Sequence, residues 1–459
     1  MNVLYIVFFL QIVQGGKLMN TLKQTLNVVA IILLAGFFVL TANSAWANET
    51  GLPQNMAKIT GQEDFIHIWT LGTEGVGDEQ DKLVTVDVNP NSAKYGKVVS
   101  SVSVGGRNEA HHMGLTMDRQ YLWGATLDTS KIFIFDIHTD PAHPKLVKTI
   151  TDFTAKSGGV VGTHTVMPMK DHMLITGLSN NRDHGGRSAV VEYTNDGKYV
   201  ATYWMPTDDN LQGAQKTGKY ADGYNYDIRA LPRLDAMFTS SFTGWSNYMM
   251  DFGKMLNDEQ AMKRFGNTFV VWRLSERKPL KIFDVPGAPL EIRVAINPEN
   301  DYCFTAATLT SKLWLIYRDK QNAWQAKEVG DIGDPSKVPL PVAFTISSDD
   351  RLLWVTTFMD GMVRAFNIAD PFHPVQIYEK HIGAQVNMVS TSWDGKRLYF
   401  TSSLLSKWDK KGQDNEQYIK SFEWDGKELK ERFSIDFTKE KLGRPHEMKF
   451  SAYTLYTKL

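Results

Sequence analysis

The sequence predicts an all-β protein, a seven-bladed β-propeller closed by N- and C-terminal strands that share one blade. Two observations predict it. From residue 60 onward one design recurs at spacings of about 45 to 65 residues: a strand, a turn rich in Asp, Asn and Gly, a second strand rich in Leu, Trp, Phe, Val and Thr, then two further strand-like runs. Four short antiparallel strands per unit, repeated this often, suit a ring of blades that bury their faces against one another. The second observation is that the first and last units are incomplete in complementary ways. Lys82–Val88 with Lys97–Val104 reads as an outer pair of strands, and the run from His446 to Tyr456 reads as an inner pair. Joining them removes the exposed edges of an open ring.

The elements follow in chain order. Residues 1–47 differ from the rest: Met19-Asn-Thr-Leu-Lys23, the apolar Val28–Leu40 and Ala45-Trp-Ala47 are the three parts of a secretory signal, with Met19 the start that fits them. The apolar stretch is short of the about 20 residues that a spanning helix needs. Residues 48–459 are therefore expected as a single propeller domain, exported to a bacterial periplasm and free of a stable membrane anchor. A net charge of -1 gives no electrostatic case for nucleic acid. A single cysteine, Cys303, excludes an internal disulfide or a multi-cysteine metal site and reads as a buried apolar residue.

The blade openings overlay one another: His112–Trp123, His164–Ile175, Tyr226–Phe238, Glu291–Phe304, Val342–Trp354, Asn387–Phe400 and the run from His446. Two stretches interrupt the plan. Tyr203–Asp222 is polar and Gly-rich, and 243–265, with Trp245, Tyr248, Met249, Met250, Phe252 and Met255, has helical character. The second reads as an insertion inside the fourth blade that lies over one face, either as a lid or as a contact in a homo-oligomer.

Innermost strands line the channel of a propeller, and their first residues gather around one mouth. His112 stands ten positions before Leu122, His164 ten before Leu174 and His446 nine before Leu455, which places the three at equivalent points of three adjacent blades. His111 either faces the opposite way, because side chains alternate along a strand, or joins them from the preceding turn. Glu109 and Glu291 are candidates for orienting the ligands or moving protons. Imidazole-rich sites suit copper, zinc, iron or nickel, and with oxygen ligands sparse and cysteine absent copper is the metal chosen. His138, His143, His172, His184 and His373 fall in turns or outer strands and read as structural, while His67 and His381 are undecided. Asp183-His-Gly-Gly-Arg187 is a turn without the strand-to-helix setting that phosphate binding requires. The twelve tryptophans read as blade packing.

Six segments in one order, Asp81–Pro90, Glu109–His112, Pro289–Arg293, Ser348–Arg351, Asp394–Tyr399 with Ser402–Asp409, and Pro445–Met448, resemble the selenium-binding protein family, which includes copper-dependent methanethiol oxidases. The resemblance spans nearly all of the mature chain. It implies a seven-bladed propeller and, in exported bacterial members, oxidation of methanethiol by oxygen and water to formaldehyde, hydrogen sulfide and hydrogen peroxide. His111, His112, His164 and His446 match histidines of the family, and Glu109 and Glu291 match its acidic positions. Gly96 stands where the family carries its selenium-associated cysteine, the cysteine pair that often follows the double histidine is absent, and Val161, Ala343 and Asp360 replace a family His, Asp and His. A copper-dependent oxidase of a small thiol is thus the expected function. A non-catalytic periplasmic copper-binding propeller and an interaction scaffold are the alternatives.

Overall fold

The computed structural model describes residues 63–181, 187–207, 220–392, 394–409 and 416–451. They form seven four-stranded antiparallel sheets, each ordered from the channel outward. We number the blades from the closing one. The innermost strands are Arg444–Phe450 in blade 1, Ala110–Leu115 in blade 2, Val160–Pro168 in blade 3, Ile228–Leu231 in blade 4, Pro289–Val294 in blade 5, Pro341–Ile346 in blade 6 and Val389–Thr391 in blade 7. The leader over 1–47, the turn around His184, most of the Tyr203–Asp222 interruption and the end of the run from His446 lie outside the described residues.

The recurrent turns have a local cause. In the hairpins that follow three innermost strands, Thr116, Ser347 and Ser392 donate their hydroxyls to Asp118, Asp349 and Asp394, and accept the N–H of Tyr121, Leu352 and Arg397. One hydroxyl thus holds both sides of the turn, which is why a Ser or Thr two places before Asp marks each of them. Outer-strand turns repeat too, with Asp140 accepting from His143 and Asp370 from His373, so these two exposed histidines are structural as expected.

Blades pack through apolar clusters that straddle neighbours, with Trp69, Trp123, Trp272 and Trp354 fully buried. Trp69 of blade 1 donates its indole N–H to the Ala125 carbonyl of blade 2 at 2.9 Å. Buried hydroxyls on second strands add a polar seam. Thr176, Ser240, Thr356 and Thr401 donate to the carbonyls of Tyr226, Leu290, Asn387 and His446, each on the next blade. Cys303 is buried on the second strand of blade 5, as expected.

Closure differs from the expected two-plus-two division. Phe65–Leu71 pairs with Lys82–Asp87 on one side and with Arg444–Phe450 on the other, so the N-terminus supplies three strands of blade 1 and the C-terminus one. Phe65–Leu71 is hidden in the sequence because it is buried on both faces and so lacks polar alternation. Its connection to the next strand, Gly72–Asp81, is also longer than a hairpin turn.

The insertion consists of three short helices, Trp245–Tyr248, Phe252–Leu256 and Glu259–Met262, closed at its base by a bridge between Thr243 and Phe265. Its apolar side chains pack on Leu290, Leu340, Val342, Leu404, Leu405 and Trp408, and the Trp408 indole donates to the Asn247 carbonyl at 3.3 Å. It therefore covers the end of the channel at which the innermost strands begin. Trp245 lies directly over Gly162, whose φ is +69° and whose added Cβ would come within 2.4 Å of the indole. Gly162→Ala is expected to lower stability by about 1–3 kcal/mol through backbone strain and this clash, read as a lower melting temperature.

Candidate metal centre

Bulges in the innermost strands build the site. In blade 2 Ala110 pairs with Thr126 and Met113 with Gly124, so His111 and His112 together face Ala125 alone. In blade 3 His164 and Thr165 face Thr176, in blade 5 Leu290 and Glu291 face Ala306, and in blade 1 His446 and Glu447 face Trp69. A bulge breaks strict alternation and re-aims side chains. That is how both His111 and His112 reach the interior of the ring, which the alternation rule would forbid.

The same register corrects one sequence reading. Counted from the bulges, His111 stands with His164 and His446 in the first place of each pair, and His112 stands with Glu291 and Glu447 in the second. Counting back from Leu122 and Leu174 puts His112 in phase with His164. Both bulges lie three rungs from the hairpin, but the turn of blade 2, 117–120, is two residues longer than that of blade 3, 170–171, so the two leucines are not equivalent.

All four histidines are buried and meet. Ring centroids are 3.9 Å apart for His111 and His446, 4.0 Å for His112 and His164, 4.8 Å for His111 and His164 and 4.9 Å for His111 and His112. Ligand-capable nitrogens of His111, His112 and His164 all lie within 4.8 Å of one another. The His111 Nδ1 and the Nε2 atoms of His112, His164 and His446 are buried without a hydrogen-bond partner. Burial holds all four imidazoles below their ordinary pKa, reinforced for His111, His112 and His164 by their neighbours in the cluster, and His446 lies at about 4. They are neutral at pH 7. Neutral imidazoles whose buried nitrogens lack partners, gathered in one place, are costly as a structural core and suited to a cation.

Two of the rings are fixed from behind. The Ser403 carbonyl, which can only accept, takes the His446 Nδ1–H at 2.7 Å and leaves the Nε2 lone pair free. Thr165 donates its hydroxyl to Asp227 at 2.9 Å, so its oxygen accepts the His164 Nδ1–H at 3.1 Å. Thr165→Val is therefore expected to weaken metal affinity about 10–100-fold, measured by competition with a chelator, while the fold is kept.

The two candidate carboxylates separate. Glu109, in a left-handed backbone conformation with φ 62°, accepts the Ser406 N–H at 2.7 Å and anchors the loop that carries Trp408. Its carboxyl is pushed by burial up to about 7. Glu291 Oε1 lies 3.7 Å from His112 Nε2 and has no hydrogen-bond partner, while Oε2 forms an ion pair with Arg293 at 2.5 Å. Burial pushes this carboxyl up to about 7 as well, against the pull of Arg293. Asp227 and Glu447 clamp the following blade by accepting the N–H groups of Ile292 and Met113. Glu291 makes no such clamp.

Several residues beside the cluster were not singled out by sequence reasoning. Tyr226 occupies the first place in blade 4, its ring 4.0 Å from His164, and Asn387 contacts the His446 ring from blade 7. The usable signal was the pair of residues at each opening, taken together rather than as single histidines. The substitutions at the remaining family positions lie differently: Asp360 pairs with Arg364 and Thr357 in a hairpin, Val161 packs under the cap, and Ala343 is buried beside Met388 and Met448. His67 is buried against Thr85, and His381 is exposed at the end of an outer strand.

The cluster separates two spaces. A channel of about 320 Å³, lined by residues beyond the bulges, carries Arg119, Arg229, Arg293, Glu447 and Lys449. On the cap side lies a small compartment bounded by His111, Tyr226, Tyr248 and Trp408 and otherwise mostly apolar, with room for about one water molecule.

Residues 50–453 match the family described as 56 kDa selenium-binding protein. Over 414 residues, 90% of this chain and 95% of the relative, the sequence is 61% identical to a methanethiol oxidase of Ruegeria pomeroyi. It is 53% identical over 434 residues to a methanethiol oxidase of Hyphomicrobium sp, covering 94% of this chain and 97% of that one. A hypothetical selenium-binding protein from Sulfolobus tokodaii shares the fold with a TM-score of 0.73 at 24% identity, over 87% of this chain and 96% of its own.

Proposed function

This chain belongs to the 56 kDa selenium-binding protein family, and from that premise we propose that it is a copper-dependent oxidoreductase that oxidises methanethiol. The atoms balance when one methanethiol, one dioxygen and one water give one formaldehyde, one hydrogen sulfide and one hydrogen peroxide, with two electrons passing from the thiol carbon to dioxygen and sulfur leaving unchanged in oxidation state as sulfide. The observation that carries the reading is the convergence of four buried, neutral histidines, three of which gather ligand-capable nitrogens within 4.8 Å of one another, beside a carboxylate that clamps no backbone N–H of the next blade. The names of the two bacterial relatives support the substrate.

His111, His112, His164 and His446 would hold the metal. Bound copper supplies a soft acceptor for thiolate and a one-electron couple toward oxygen. The protein does the rest. Ser403 and the Thr165–Asp227 pair keep two rings with their lone pairs inward. The cap of residues 243–265 excludes bulk water. Glu291 takes the thiol or C–H proton, a task that suits a carboxyl whose pKa lies near neutrality. We place the enzyme in the periplasm on the leader in its sequence, and among the described residues no helix is long and apolar enough to cross a membrane.

The test is copper quantification coupled to oxygen uptake and peroxide release with methanethiol. Stoichiometric copper, loss of turnover on chelation and recovery on adding copper are expected. Copper-replete protein that consumes no oxygen would instead establish a copper-binding propeller without catalysis.

A further inference from the structure

The small compartment under the cap is mostly apolar and carries no charged side chain, whereas the wide channel on the other side of the cluster mixes apolar residues such as Met113, Val166 and Met388 with charged ones. Its walls include Val342, Leu404, Leu405 and Trp408, and it touches the imidazole cluster through His111, whose Nδ1 is without a partner. Tyr248 adds one buried hydroxyl that also lacks a partner, while Thr308 in the same wall already donates to the Pro341 carbonyl. A thiol bound at the imidazoles must put its alkyl group on one side or the other. The channel side offers Arg229, Arg293, Glu447 and Lys449, whose charges are already paired with neighbouring side chains and lose hydration when hydrocarbon is laid on them. The compartment offers apolar walls and no charge.

We propose that this compartment holds the alkyl group of the thiol, and that Val342 and Leu404 set the limit on its length. The inference rests on the thiol-oxidase reading above and adds the residues that confine the site to a one-carbon thiol, each added methylene being disfavoured. With room for about one water molecule, a methyl group enters with little slack, and a longer chain must displace side chains packed between the cap and the blades. Val342 comes from the bulge of blade 6 and Leu404 from the loop after the second strand of blade 7, so two separate segments close the space. Rejection of one methylene by such a pocket is worth about 10–200-fold.

The experiment measures kcat/KM of the copper-loaded full chain for methanethiol, ethanethiol and 1-propanethiol, in the wild type and in Leu404→Ala and Val342→Ala. The quantity read is the ratio between two thiols in one preparation, so copper occupancy cancels. The wild type is expected to prefer methanethiol, and each variant to raise the ethanethiol-to-methanethiol ratio about tenfold or more. Because the variants alter different segments, failure of one to fold leaves the other informative. Oxidation of 1-propanethiol by the wild type as readily as methanethiol, or unchanged ratios in the folded variants, overturns the inference and leaves the oxidase reading standing. Absence of turnover with every thiol overturns the oxidase reading and the inference with it.

Discussion

Replacing His164 with alanine is expected to cost copper affinity more than the about 10–100-fold that loss of an outer-shell partner costs, and to abolish thiol-dependent oxygen uptake. The stability of the metal-free protein should move the other way or not at all. His164 is fully buried with its Nε2 unpartnered, and burial already drives the ring to its neutral form. Alanine removes that uncompensated nitrogen, which offsets the cavity the ring leaves behind. A histidine that merely packed the core would give the opposite pair of results, lower melting temperature and unchanged metal content. Measuring both on one sample therefore separates a ligand from a filler, and stoichiometric copper in His164→Ala would remove this residue from the site. His111→Ala is the companion variant, since its ring contacts all three others.

The ring of blades was legible because its signal is repeated. Each opening places a turn between two strand-like apolar runs, three of them with the Ser/Thr-and-Asp pair, and seven weak signals in register make one strong one. Phe65–Leu71 was missed because a strand buried on both faces loses its period of two. The histidines were legible as residue types, and their register was not. Register depends on the length of each hairpin turn, four residues at 117–120 against two at 170–171, and on bulges held by contacts across blades, such as the Asp227 and Glu447 carboxylates accepting the N–H groups of Ile292 and Met113. Glu109 shows the same limit from another side. It is two residues from His111 in sequence, yet a left-handed backbone turns it to Ser406 and the loop of blade 7. Tyr226 sits at the place of His164 in the next blade and escaped notice because a tyrosine at a strand opening is ordinary on its own.

Glu291→Gln is expected to lower kcat by about 10²–10⁴-fold, the range for loss of a positioned proton-transfer group, with copper content unchanged. The substitution keeps shape and burial and removes the charge and the proton-accepting capacity. Three carboxylates occupy the second place of their pairs, and the comparison between them assigns the role. Asp227 and Glu447 clamp a neighbouring blade, so their loss would act on stability, and that of Asp227 also on the His164 ring through Thr165. Glu291 faces His112 Nε2 at 3.7 Å and is held by Arg293, so its loss acts on chemistry. The pH profile gives the sign. A base works only when ionised, so activity rises as pH rises through the carboxyl's pKa. Burial puts that value at about 7 in the metal-free site, and a bound cation moves it lower. The wild type should therefore lose activity on its acidic side, with a midpoint below 7, and Glu291→Gln should show a low rate without that limb. Retention of the limb in Glu291→Gln would assign it to another group. A fall in copper content in parallel with kcat would make Glu291 a residue that positions His112 rather than one that moves the proton.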